Sequence, residues 1–242
     1  MPMHVHIPSL GIGVSIATIS ILGAFFVSDF DVSENDNPSA KIITSDNPPQ
    51  IKENDSKIEL SLFSAKATPV LGSPDATVTL VEFGDYQCFY CNRFFHNTES
   101  GIVKNYVDTG KVKMIFKDFT IIGPDSINAA HASHCANEEG KFWEYHDVLY
   151  NHWTGENNGW ASSNNLLKFA KQIGLDEGSF RECMLDGRYG PVIEQSNSDA
   201  RALGITGTPA FFVIGPDNTV TKISGAQPYE VFEKIFESQL KK

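Results

Sequence analysis

The feature that most constrains this chain is Val78 to Cys91, VTLVEFGDYQCFYC, where a short apolar run meets a CxxC. Val78, Leu80, Val81 and Phe83 are β-formers closed by Gly84-Asp85, the pattern of a buried strand ending in a turn. Beyond the cysteines, Phe94, Phe95, Ile102, Val103 and Tyr106 recur at helical spacing, with Cys91 in phase. A CxxC between strand and helix sets its first cysteine on the helix's first turn. Free N–H groups and the positive end of the dipole stabilise a thiolate there. The spacing predicts Cys88 as the exposed, activated nucleophile and Cys91 as the more buried resolving partner. Together they make a pair suited to reversible thiol–disulfide exchange, with no further cofactor and no metal.

The competing reading of a CxxC is half of a zinc site, which needs two more ligands. Cys135 and Cys183 are single and far apart, not a second knuckle. His131 and His134 are available, but nothing in their spacing requires a metal. The strand–CxxC–helix setting favours redox chemistry.

The N-terminus reads differently. After a short segment (residues 1–6), Ile7 to Val27 is uncharged and mostly apolar, about twenty residues, enough to span a bilayer as a helix. A cleaved signal peptide is the alternative, but the run is long and no small-x-small site follows it. Residues 28–57 turn to Asp, Asn, Ser, Pro and Lys, a composition that buries too little to order itself, and read as a flexible acidic tether. The N-terminal flank carries no Lys or Arg, and the other is acidic, with Asp29, Asp31, Glu34 and Asp36, so the charges give little to orient the anchor. A redox CxxC argues for a domain outside the cytoplasm.

Residues 58–242 suffice for one domain with a sizeable core. Ile58 to Phe63 reads as a short edge strand, and Lys111 to Phe119 (KVKMIFKDF) as a strand parallel to the first. Four helical segments follow, Ser126–Cys135, Lys141–His152, Asn164–Ile173 and Ser179–Leu185, separated by glycines. His146 reads as a core residue rather than a ligand. A helix from about Val192 to Leu203 leads to Gly207-Thr208-Pro209 and the strand Ala210–Ile214. On local rules alone Pro209 is trans. A turn at Asp217-Asn218, the strand Val220–Ile223 and a helix from Tyr229 to Leu240 close the chain. The order β-α-β, helical insertion (about 125–189), α, β-β-α is an α/β, thioredoxin-like fold interrupted by an all-helical subdomain.

VEFGDYQCFYC, CANEEGKFWEYHDVLYNH and GITGTPAFFVIG, in that order, resemble the DsbA-like branch of the thioredoxin superfamily, the extracytoplasmic thiol–disulfide oxidoreductases. The resemblance runs from about Thr68 to the C-terminus. It implies a cis Thr208–Pro209 bond facing the CxxC, with the Thr208 backbone presented to a substrate peptide as to an added strand. It also implies that Glu82, beneath the site, relays the proton of Cys91. One departure is the dipeptide Phe89-Tyr90, which lacks the histidine of the strongly oxidising members. The other is Cys135 and Cys183, read as a structural disulfide pinning the insertion. Closing about fifty residues contributes roughly 4 kcal/mol if unstrained, and two buried free thiols are the alternative.

These readings converge on a membrane-anchored oxidoreductase whose catalytic domain is extracytoplasmic. Its partners are cysteine-containing unfolded or secreted proteins, met by the aromatic Phe89 and Tyr90, and a membrane reoxidase linked to quinone. A reductase or isomerase would use the same residues. A tethered binding or chaperone module with a structural or zinc-bound CxxC is the reading from another class. With 30 acidic against 19 basic residues, the chain offers no basic stripe for nucleic acid.

Overall fold

The computed structural model describes residues 60–64 and 68–242. The anchor expected over 7–27, the tether over 28–57 and the domain start at Ile58 lie outside them. Among the described residues no helix is long and apolar enough to cross a membrane.

Strand β1 (Val78–Gly84) is the axis of a four-stranded sheet ordered β2-β1-β3-β4, with β2 at Val112–Asp118, β3 at Ala210–Ile214 and β4 at Val220–Ser224. β1 runs parallel to β2, with Val78 opposite Val112, and antiparallel to β3, with Glu82 opposite Phe211. Alternation along β1 sends Val78, Leu80 and Glu82 to one face and Val81 and Phe83 to the other. On the first face Val78 and Leu80 pack with Phe94, Ile102 and Tyr106 of the helical segment after the CxxC, and with Phe232 and Phe236 of α8 (Tyr229–Gln239). On the second, Val81, Phe83 and Phe212 meet Phe63 and Ala200. Central β1 is thus buried on both sides, which is why its polar Glu82 has no solvent to face.

One expected element is different. The segment read as an edge strand forms a 3₁₀ turn over Leu60–Phe63. Phe63 is drawn onto the face of the sheet, 4.9 Å centroid to centroid from Phe212. A bridge between Leu71 and Met114 flanks β2 instead. Burial of one aromatic ring outweighs the β-propensity of a short segment here.

The segment after the CxxC is α1 (Phe89–Phe94), a π turn (Phe95–Glu99), α2 (Ser100–Ile102) and a second π turn (Val103–Val107). Its neighbours are the helices α3 (Pro124–Asn137), α4 (Phe142–Asn151), α5 (Ser163–Gln172) and α6 (Glu177–Asp186), followed by α7 (Gly190–Ala202). The buried alanines Ala129, Ala132 and Ala136 of α3 let α4 approach closely. A disulfide joins Cys135 in α3 to Cys183 in α6. Cys88, Cys91 and Tyr86 belong to the same apolar cluster as this helical layer. The insertion therefore packs directly against the CxxC.

Candidate active site

Cys88 is the N-cap of α1, with extended backbone that sets its sulfur near the Tyr90 and Cys91 N–H groups. The Sγ lies 3.4 Å from the carbonyl oxygen of Thr208, to which the thiol donates. Cys91's thiol, foremost, then the Thr208 side chain and the Cys91 and Tyr90 backbone N–H groups, lower the Cys88 pKa to about 6 against the opposing effect of burial. Cys88 is not exposed as its position suggested. It is 5% accessible, while Phe89 and Tyr90 beside it are 49% and 51% accessible. The Thr208 carbonyl lies against the sulfur, and Cys88 packs into the apolar cluster of the helical layer.

Cys91 is fully buried and is not bonded to Cys88. Burial first, then the hydrogen bond and charge of Cys88 and the charge of Glu82, push its thiol well up. Glu82 is buried on β1, and neither carboxylate oxygen has a hydrogen-bond partner. Burial, then the Glu99 carboxylate, then Cys88, hold its carboxyl well above the ordinary carboxylate range. Glu99, at the end of the first π turn, sets Oε1 3.6 Å from His146 Nε2, and His146 Nδ1 pairs with the Tyr86 hydroxyl at 3.1 Å. The unpartnered Tyr150 hydroxyl has its pKa raised by burial, then by Cys91 and Glu82. A buried cluster of titratable groups, Glu82, Glu99, His146 and Tyr150, thus lies under the pair.

The helical layer grips the turn before Cys88 through Gln87. The Gln87 carbonyl accepts the Trp153 indole N–H at 2.7 Å, and its side-chain oxygen accepts the Asn157 backbone N–H at 2.6 Å. Its amide donates to Ser126 Oγ at 3.0 Å. Buried Asp85 accepts from the Gln87 backbone at 2.8 Å and from Ile121 and Ile122 at 2.9 and 3.1 Å. Glu156 accepts the Phe89 backbone N–H at 3.1 Å.

The structure brings Cys88, Cys91, Glu82, Phe89, Tyr90, Thr208 and Pro209 together. The Thr208–Pro209 bond is cis, where local rules alone gave trans. Thr208, Pro209, Lys222 and Gly225 line a shallow cleft of ≈ 250 Å³. Cys135 and Cys183 are placed in the helical layer. Among the described residues, the two groupings of three ligating side chains are His131-Cys135-Cys183 and Glu99-His146-Asp147. Neither contains a CxxC sulfur, and the disulfide occupies both sulfurs of the first. Sequence reasoning missed Glu99, Gln87 and Glu156. Glu99 carried a signal: a carboxylate in phase with Phe95, Ile102 and Val103 on the apolar stripe. Gln87 and Glu156 carried none, because their roles depend on a contact between distant segments.

The family model described as Thioredoxin matches residues 64–237. The Na(+)/H(+) antiporter NhaA 3 of Salinispora tropica is 34% identical over 148 residues, 60% of this chain and 21% of the antiporter. The chain thus spans about a fifth of that relative's length (21%). Disulfide bond formation protein D of Bacillus subtilis is 29% identical over 181 residues, 74% of this chain and 79% of that protein. Among solved structures, oxidised BdbD from Bacillus subtilis aligns with a TM-score of 0.67 at 29% identity, covering 74% of this chain and 96% of BdbD.

Proposed function

This chain belongs to the thioredoxin family, in its DsbA-like branch, and on that premise we propose that it is a thiol–disulfide oxidoreductase introducing disulfides into secreted or surface proteins. The observation that carries the reading is the asymmetry of the pair. Cys88 has a pKa lowered to about 6, and the buried Cys91 thiol is pushed well up three residues later. A thiolate stabilised at Cys88 favours the reduced enzyme, and so makes its disulfide a good oxidant. The likeness to the antiporter covers 21% of that protein, and ion transport forms no part of the reading.

In the oxidised enzyme, a substrate thiolate attacks Cys88 Sγ. A substrate–Cys88 bond forms, the Cys88–Cys91 bond breaks, and Cys91 leaves as a thiolate. Glu82, whose carboxyl is held above the ordinary range by burial, supplies the proton that neutralises Cys91. A second substrate thiolate then attacks the substrate's own sulfur in the mixed disulfide. That step expels Cys88, which leaves readily because the helix N-terminus and Thr208 stabilise its thiolate. The substrate loses two electrons and the enzyme gains them. Thr208, before the β3 strand, orients the substrate backbone as an added strand, while Phe89 and Tyr90 favour apolar, unfolded segments.

Return to the disulfide form needs an electron acceptor, for which we propose a membrane reoxidase linked to quinone. The Cys135–Cys183 disulfide suits an oxidising compartment. With the uncharged stretch from Ile7 to Val27, it supports a catalytic domain held outside the cytoplasm by an N-terminal anchor.

Trapping in the cell tests the reading. Cys91→Ala should accumulate mixed disulfides through Cys88 that vanish on reduction. Failure to capture any partner would sink the exchange reaction. Equilibration of the full-length protein with glutathione sets the direction. A potential well above thioredoxin's roughly −270 mV supports an oxidase, and one at or below it a reductase or isomerase.

A further inference from the structure

Glu156 lies in the loop between α4 and α5, yet its Oε1 accepts the backbone N–H of Phe89, the residue after Cys88, at 3.1 Å. Several contacts hold the loop in this position. Asn157 N–H donates to Gln87 Oε1 at 2.6 Å, Gly159 N–H to Asp125 Oδ2 at 2.9 Å, and the Trp153 indole to the Gln87 carbonyl at 2.7 Å. The backbone on both sides of Glu156 is left-handed, with φ of 129° at Gly155 and 52° at Asn157. The carboxylate is thus delivered to the start of the active-site helix by a built turn, where a free surface glutamate would only visit.

Two anions then share one helix start. An acidic group near a helix N-terminus is favourable in itself, but the Glu156 carboxylate takes up one of the N–H donors beside the sulfur. It also adds a negative charge where the thiolate forms. The other groups facing Cys88 are Cys91, the Thr208 side chain and carbonyl, and Glu82 below. Arg93 is turned away, stacked 4.9 Å from the Tyr90 ring and donating to the Ala226 carbonyl.

Resting on the oxidoreductase reading, we propose that Glu156 is a positioning residue contributed by the helical insertion, which restrains the Cys88 thiolate and so sets the oxidising power of the Cys88–Cys91 pair. It touches neither substrate nor sulfur and acts through the first turn of α1. The equilibrium it shifts is enzyme disulfide plus two glutathione thiols against enzyme dithiol plus glutathione disulfide, a two-electron exchange with no other reactant.

The test is Glu156→Gln in the full-length protein, which keeps the acceptor and removes the charge. Ultraviolet absorbance of the thiolate against pH should show the Cys88 acid dissociation constant raised about two- to fivefold, the range for a charge at a helix terminus. The glutathione equilibrium should move by a similar factor towards dithiol enzyme. Glu156→Asp, with the charge retained, should lie nearer the wild type. Added salt should raise Cys88 acidity in the wild type and less in Glu156→Gln, because the charge being screened is gone. Identical thiolate titrations and glutathione equilibria for wild type and Glu156→Gln would overturn the proposal. Thiolate absorbance does not depend on any substrate. A loss of the mixed-disulfide trap would therefore count against the oxidoreductase reading alone.

Discussion

The sulfur of Cys88 lies 3.4 Å from the carbonyl oxygen of Thr208, a residue 120 positions further along the chain. The contact joins the start of α1 to the segment leading into β3, and it makes one site of two stretches that neighbour each other only in the folded sheet. The reactive sulfur is therefore set by the tertiary structure as much as by its helix.

Cys88 should alkylate with a half-maximal rate near pH 6, where its pKa is lowered to about 6, while Cys91 resists until the chain unfolds. The sign of the linked stability follows. A depressed folded-state pKa stabilises the reduced protein fully above the unfolded value near 9.0, and that contribution is lost as pH falls through about 6. Denaturation of reduced against oxidised protein between these limits checks it. A pH-independent difference would contradict the assignment.

Glu82→Gln should raise stability at pH 8 and have little effect at pH 4, because it removes the carboxylate that burial disfavours. The folded-state pKa is raised above its ordinary 4.5, mainly by burial. Stability is thus full below that value and is lost as pH rises through the folded pKa. The same variant should slow protonation of Cys91 during exchange. Urea melts at the two pH values and stopped-flow exchange rates separate the two effects.

Removing the Cys135–Cys183 bond with a double alanine substitution frees a loop with a sequence separation of 48. The expected loss is about 4 kcal/mol, from loop entropy. The Cys88 alkylation profile should stay near pH 6. A displaced profile would mean that the disulfide shapes the active site as well as the insertion.

Lys117 Nζ sits 2.6 Å from Asp199 Oδ2 in a buried pair and also donates to the Leu62 carbonyl at 2.7 Å. Lys117→Met leaves Asp199 buried without its cation and should cost about 3–5 kcal/mol. Lys117→Met with Asp199→Leu should recover much of that loss. Thermal melts of the single and double variants decide it.

Most of the architecture was legible because period and punctuation were strong. The alternation of Val112, Met114 and Phe116, and the glycines between helices, marked elements within a few residues. The edge strand expected over Ile58 to Phe63 failed in its described part, Leu60–Phe63, because so short a stretch carries no period that separates a strand from a turn. Packing of Phe63 on Phe212 decided it.

The chemistry of the site divides in the same way. By itself the sequence determined the strand–CxxC–helix junction, and with it the two sulfurs proposed to carry the exchange, because both depend on local spacing and a helix start. Only the tertiary structure decided how far Cys88 is covered, that Glu82 and Glu99 are buried beside one another, and that Gln87 and Glu156 reach the active-site helix. Those properties depend on distances between segments far apart in the chain, and on the loss of water between them. A linear pattern of residue types encodes neither.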